Sequence, residues 1–208
     1  NYSGLISRTL ERDHDVVIIL AGTKTNLVDQ TYDRLKGYFN GTSDIHVFKV
    51  NSELNIESEL EKIHQNTSSK LVLVSLKHQD YLAKIGQGLH ANAARTIIID
   101  DEADQASLNT KEYYSHRNNV NEMSRIYSEL TSILNSDYVK LIQYTATPQA
   151  LFLLSTDNSL SPDKYYVQYP PDTYLGINEL LHSSRKHIVS VSDFESCYKY
   201  VLDEFIKN

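Results

Sequence analysis

The stretch Arg95-Thr96-Ile97-Ile98-Ile99-Asp100-Asp101-Glu102-Ala103-Asp104-Gln105-Ala106 carries the clearest structural signal in the chain. Three consecutive isoleucines suit a central parallel strand, because a continuous β-branched run leaves neither face for water. The run ends in Asp100, Asp101, Glu102 and Asp104, four carboxylates within five positions. Such crowding of like charge is unfavourable unless a cation or a hydrogen-bond network offsets it, and a divalent metal is the expected compensator. In open α/β sheets ligands bind beyond the carboxyl ends of the strands, where this cluster falls. The plain alternative is a solvated loop, or a helix start whose carboxylates complement the dipole. A calcium loop of the EF-hand type counted from Asp100 fails: Gln105 stands where Gly is needed and Lys111 where Glu is needed.

Other strands of the same kind flank this one. Val16 to Leu20 is a continuous apolar run, and Ala21-Gly22-Thr23-Lys24-Thr25-Asn26 leads from it into a helix over Leu27 to Tyr38. A Walker A loop ending at Lys24-Thr25 would need glycines where Ile18 and Thr23 stand, so this is not one. A strand over Ile45 to Val50, a charged helix over Glu53 to Gln65, a buried strand over Leu71 to Ser75 and a helix from Leu76 to Leu89 follow. Gly86-Gln87-Gly88 reads as the capping of that helix end. Beyond the acidic strand, apolar residues from Val120 to Leu134 recur at helical spacing, and Val139 to Tyr144 is a further strand. It ends in Thr145-Ala146-Thr147-Pro148, where Thr147 suits an N-cap and Pro148 a first helical position.

The bulk numbers narrow the class. A chain of 208 residues with 40% hydrophobic and 23% charged residues is long enough for a genuine core and ordinary for a globular protein. Its formal charge of −7 is not the footprint of a protein that grips nucleic acid unaided, although backbone amides and Ser/Thr hydroxyls also bind phosphate. Cys197 is the sole cysteine, which removes an internal disulfide or a thiolate zinc site and makes a cytoplasmic setting the default; no signal peptide or membrane span is expected. There is no H-E-x-x-H and no G-x-S-x-G. The chain starts at Asn1 and has Met123 as its only methionine, so it is expected to be a piece of a longer product.

Asp101-Glu102-Ala103-Asp104 after its apolar strand resembles the Walker B sequence, or motif II, of DEAD-like superfamily 2 helicases and translocases. Gly22-Thr23-Lys24-Thr25 is similar to motif Ia, the strand before Lys77 to the one preceding motif Ib, and Thr145-Ala146-Thr147 to motif III, each at a strand end and in the family's order. The resemblance implies an α/β fold, the first RecA-like lobe, with a mostly parallel sheet and helices on both faces over residues 1–155. Residues 156–208 are then an exit segment, with a short strand around Tyr165 to Tyr169, and an accessory region ending in an amphipathic helix over Asp193 to Ile206. It also implies that Asp101 holds the Mg2+ of bound ATP through water and that Glu102 orients the attacking water. Asp104, Thr145 and Thr147 would couple the nucleotide to the strand path, and Thr23, Lys24, Thr25 and Lys77 would touch nucleic acid. More narrowly, the acidic strand, Tyr144-Thr145-Ala146-Thr147-Pro148-Gln149-Ala150 and Tyr169-Pro170-Pro171 are similar to the Z-one domain of bacterial restriction or defence-type endonucleases.

The chain departs from the family in having no Walker A lysine, which the resemblance places upstream of Asn1 or leaves lost, and no second lobe. As it stands it is not expected to hydrolyse ATP efficiently alone. The expected function is therefore part of a nucleic-acid-dependent ATPase, with DNA, a second RecA-like lobe and a nuclease domain or subunit as partners. Two alternatives stand beside it: a non-catalytic interaction domain that keeps the fold, and a magnesium-dependent nuclease using Asp100, Asp101 and Glu102 directly.

Overall fold

A computed structural model of the chain describes residues 3–12, 14–105, 107–108 and 124–167. Two compact units divide it, Asn1–Asp163 and Lys164–Asn208, and the sheet belongs to the first. The amphipathic stretch over Asp193 to Ile206 lies outside the described residues, as do Gln168 and Tyr169; Tyr165, Tyr166 and Val167, expected in a short strand, are exposed and belong to none.

The strands are β1 (Val16–Leu20), β2 (Ile45–Lys49), β3 (Lys70–Ser75), β4 (Thr96–Asp101) and β5 (Val139–Tyr144), and the helices α1 (Ser3–Arg12), α2 (Thr25–Tyr38), α3 (Ile56–Gln65), α4 (Gln79–Ala91), α5 (Arg125–Leu134) and the single turn α6 (Gln149–Phe152). All strand pairs are parallel, in the order β2-β3-β1-β4-β5. β1 is central and wholly buried because strands and helices cover it on every side.

Alternation along the strands sends side chains to two cores. Val16, Ile18, Leu20, Leu71, Leu73 and Ile98 pack with residues of α3, α4 and α5, whereas Val17, Ile19, Val72, Val74, Ile97 and Ile99 pack with Ile6 and Leu10 of α1 and Val28 and Leu35 of α2. The molecule is thus α/β, RecA-like in layout, with helices on both faces of a parallel sheet. Leu160 is buried in the first core, so the unit runs past the change of composition after Ser155 to Asp163.

Side-chain hydrogen bonds move several helix starts from where periodicity alone puts them. α3 begins at Ile56 rather than Glu53, because Asn51 Oδ1 accepts from the amides of Glu53 and Leu54 and Asn55 Oδ1 caps Ser58 N–H. α4 begins at Gln79, with His78 Nδ1 accepting from Asp80 N–H. Gly88 lies inside α4 and caps nothing; a Cβ there would meet Ile56 Cγ2 at 2.7 Å, so glycine lets α3 approach. Asn92 is the cap residue instead.

At the amino edge Asp15 ties strand starts together, with Lys70 Nζ 2.8 Å and Arg95 Nε 3.1 Å from its carboxylate. Burial pushes this carboxyl up, but Lys70 and Arg95 together outweigh it and hold it below the usual carboxylate range. Its folded form therefore binds a proton less tightly than its unfolded form, and the stabilisation is complete above about pH 4 and fades as pH falls through the folded value. Asp15→Asn is expected to cost about 1 kcal/mol at pH 7, since the partners are partly solvated. That difference should shrink towards pH 3 in urea titrations; a constant difference across the range would contradict the pairing.

Candidate active site

Parallel strands bring all their exits to one edge. β1 is followed by a helix on one face of the sheet, whereas β3 and β4 are followed by chain that packs on the other, so the layers part at the carboxyl end of β1. Open parallel sheets bind ligands at such a place. Leu20 pairs with Asp100, and Asp101 pairs with Tyr144, so the exit of β1, the acidic loop and the exit of β5 are neighbours.

The four carboxylates meet different fates. Asp100 continues the alternation of Ile98 into the sheet, and its side chain is 0% exposed. Lys77, just past β3, is equally buried and sets its ammonium 2.8 Å from Asp100 Oδ1. Neither Asp100 oxygen has a well-aligned hydrogen bond, so the compensation is chiefly coulombic. Burial pushes the Asp100 carboxyl above the usual range, with Lys77 and Ser107 pulling the other way. The same ammonium donates to the carbonyls of Glu102 at 2.7 Å and Gln105 at 3.3 Å. Lys77 was expected at a nucleic-acid surface, but its charge is inside the protein and out of a phosphate's reach, because a buried carboxylate needs a counter-charge. Asp100, a ligand in the nuclease alternative, is likewise withdrawn from solvent.

Asp104 is met from β5. Its carboxylate accepts from Thr145 Oγ1 at 2.6 Å and Thr147 Oγ1 at 2.7 Å, while Thr147 N–H donates to Thr145 Oγ1 at 2.9 Å. These hydroxyls, Thr145 first, hold the Asp104 carboxyl below its ordinary value. The hydroxyl of Thr147 is therefore used on the acidic loop and caps no helix; Pro148 is the cap residue of α6, without a side-chain bond. Ala103, fully buried, anchors the loop by donating its N–H to Tyr144 O at 2.9 Å.

Asp101 and Glu102 remain. Asp101 is half-buried beside Tyr144, whose phenol is pushed up by burial and then by the Asp101 charge. Glu102 is exposed and has φ 54°, the single left-handed non-glycine among the described residues. Such a conformation costs on the order of 1–3 kcal/mol and persists where surrounding contacts impose it. Here the Glu102 carbonyl is held by Lys77 Nζ and by Gln105 N–H. Its carboxylate lies against the exit of β1: a Cβ on Gly22, itself at φ 84°, would be 3.5 Å from Glu102 Oε2 and 3.2 Å from Leu27 Cδ1. Thr23, Lys24 and Thr25 are exposed at the start of α2, whose cap residue Lys24 makes no side-chain capping bond.

Among the described residues no three metal-ligating side chains converge. Mg2+ commonly keeps several waters and takes one or two carboxylates together with substrate phosphates, so a half-buried Asp101 beside an exposed Glu102 fits that ion through water. Sequence reasoning missed the Lys77–Asp100 pair and the approach of Glu102 to Gly22; the available signal for the pair was a charge directly following three buried isoleucines.

No protein-family model matches the chain, and no curated protein matches it.

Gly22→Ala combines a strained φ with a tight Leu27 contact and is expected to cost about 1–2 kcal/mol. Thermal unfolding should show a Tm lower by about 2–8 °C. An unchanged Tm would show that the loop accommodates a side chain and that glycine is not required there.

Proposed function

We propose that this chain is most of the first RecA-like lobe of a nucleic-acid-dependent ATPase, a helicase- or translocase-like motor of a bacterial restriction or defence-type endonuclease similar to the Z-one proteins. The observation that carries the reading is the sorting of one acidic loop: Asp104 bound by Thr145 and Thr147, and Asp101 with Glu102 left at the parting of the sheet's layers.

Asp101 is suited to hold the hydration shell of Mg2+, and the ion, when bound with ATP, neutralises charge on the phosphate oxygens. Glu102, exposed beside the β1 exit, accepts a hydrogen bond from the attacking water and aims it. Thr145 and Thr147 tie that loop to the exit of β5, so a shift of Asp104 is felt there. Thr23, Lys24 and Thr25, with the amides that open α2, offer donors to a DNA backbone. A net charge of −7 assigns most of the grip on that strand to a second lobe or a nuclease partner.

The competing reading, an interaction domain that keeps the fold without turnover, draws on the absence of a Walker A lysine from these 208 residues. No helix among the described residues is long and apolar enough to cross a membrane.

Glu102→Gln in the intact protein should keep ATP bound while slowing hydrolysis by about 10²–10⁴-fold, the usual worth of a positioned general base. Turnover near the unmutated rate would remove Glu102 from this role. An unmutated intact protein that binds no ATP would select the interaction domain.

A further inference from the structure

We infer that Lys77 is a positioning residue, one that sets the conformation of the acidic loop according to the arrangement of the chain leaving β1 and β3. The inference rests on the ATPase reading of that loop and adds a means of regulating it.

The argument begins with strand order. β3 and β4 flank β1, so a side chain from the end of β3 reaches the β4 loop only by crossing the end of β1. Lys77 makes that crossing, and its own N–H donates to Gly22 O at 2.9 Å. Its ammonium meets three oxygens: it donates to Glu102 O and Gln105 O and ion-pairs with Asp100 Oδ1. One residue thus joins three strand exits, and at 2% exposure it is shielded from bulk solvent.

Two exposed helix starts adjoin this node. Thr23 to Thr25 follow Gly22 directly, and His78, the cap residue of α4, follows Lys77 directly. A ligand that shifts either start moves Gly22 or the Lys77 backbone, and the 2.7 Å bond passes that motion to the Glu102 carbonyl. Glu102 is the residue held at a left-handed φ, so a small displacement of its carbonyl re-aims its side chain. Such a connection is physical where an element has two arrangements that both sites bias, and a strained residue pinned from one side is suited to be that element.

The test replaces both charges by apolar groups, Lys77→Met with Asp100→Leu, so that no buried charge is stranded. Backbone amide exchange of Ala103 and Gln105 should rise at least tenfold while that of β1 and β3 is unchanged. In the intact protein kcat for ATP should fall by about 10²-fold, as a misplaced catalytic group commonly does, with KM altered less than about threefold. Lys77→Arg is the second variant, and the informative one if the double variant unfolds. It keeps the positive charge beside Asp100, but a planar fork does not match the three oxygens, so kcat should stay low in a variant that circular dichroism shows to be folded. Unchanged loop exchange in a folded double variant, or full kcat in Lys77→Arg, overturns the inference and leaves the ATPase reading intact. Faster loop exchange in a protein whose unmutated form hydrolyses no ATP sinks that reading instead and supports Lys77 as the residue that sets the loop.

Discussion

A parallel sheet buried on both faces leaves its polar chemistry one place to go, the edge where the strands end, and at that edge a carboxylate sits inside. Asp100 occupies a strand position whose alternation points into the core, beside Leu20 of the central strand. An isolated buried charge is among the most costly things a fold can contain. Lys77 offsets it, and because an ammonium carries three donors, the offset also ties down the carbonyls of the loop that follows. Breaking such a pair from one side costs about 3–5 kcal/mol, whereas removing both partners is often neutral. The pair is therefore weak as a source of stability and strong as a source of geometry.

Much of the fold was legible because parallel strands advertise themselves. Val16 to Leu20, Leu71 to Ser75 and the isoleucine run were readable as continuous apolar strands, and all three are buried neighbours in the sheet. Helix starts were less legible, since Asn51, Asn55 and His78 decide them through side-chain bonds that periodicity does not register. Gly88 misled for a related reason: a glycine near a helix end suggests a cap, and only the crossing of Ile56 shows that it serves packing.

The site was legible in its residues and less so in their assignments. Asp104 and the two threonines meet across more than forty positions of sequence, and only the family's motif order brings them together beforehand. Lys77 was placed at a nucleic-acid surface by the resemblance of its strand to the one preceding motif Ib. That reading took no account of register, which turns Asp100 inward and creates a demand for positive charge beneath the loop.

Four carboxylates in five positions called for a cation or a hydrogen-bond network, with a divalent metal as the expected compensator. Both devices occur within the protein itself. Asp100 is neutralised from beneath by Lys77, and Asp104 is bonded from the side by Thr145 and Thr147. Alternation sends Asp101 to the face opposite Asp100, beside Tyr144. The left-handed turn at Glu102 then carries the fourth carboxylate to the exit of β1 instead of onward along the strand. Asp100 and Asp104 thus each have a partner within the protein, and the four like charges are turned towards different neighbours. What an ion would add is confined to Asp101 and Glu102, the two carboxylates without a committed cation or hydroxyl among the contacts described, and these are the two that chemistry at the crevice would use.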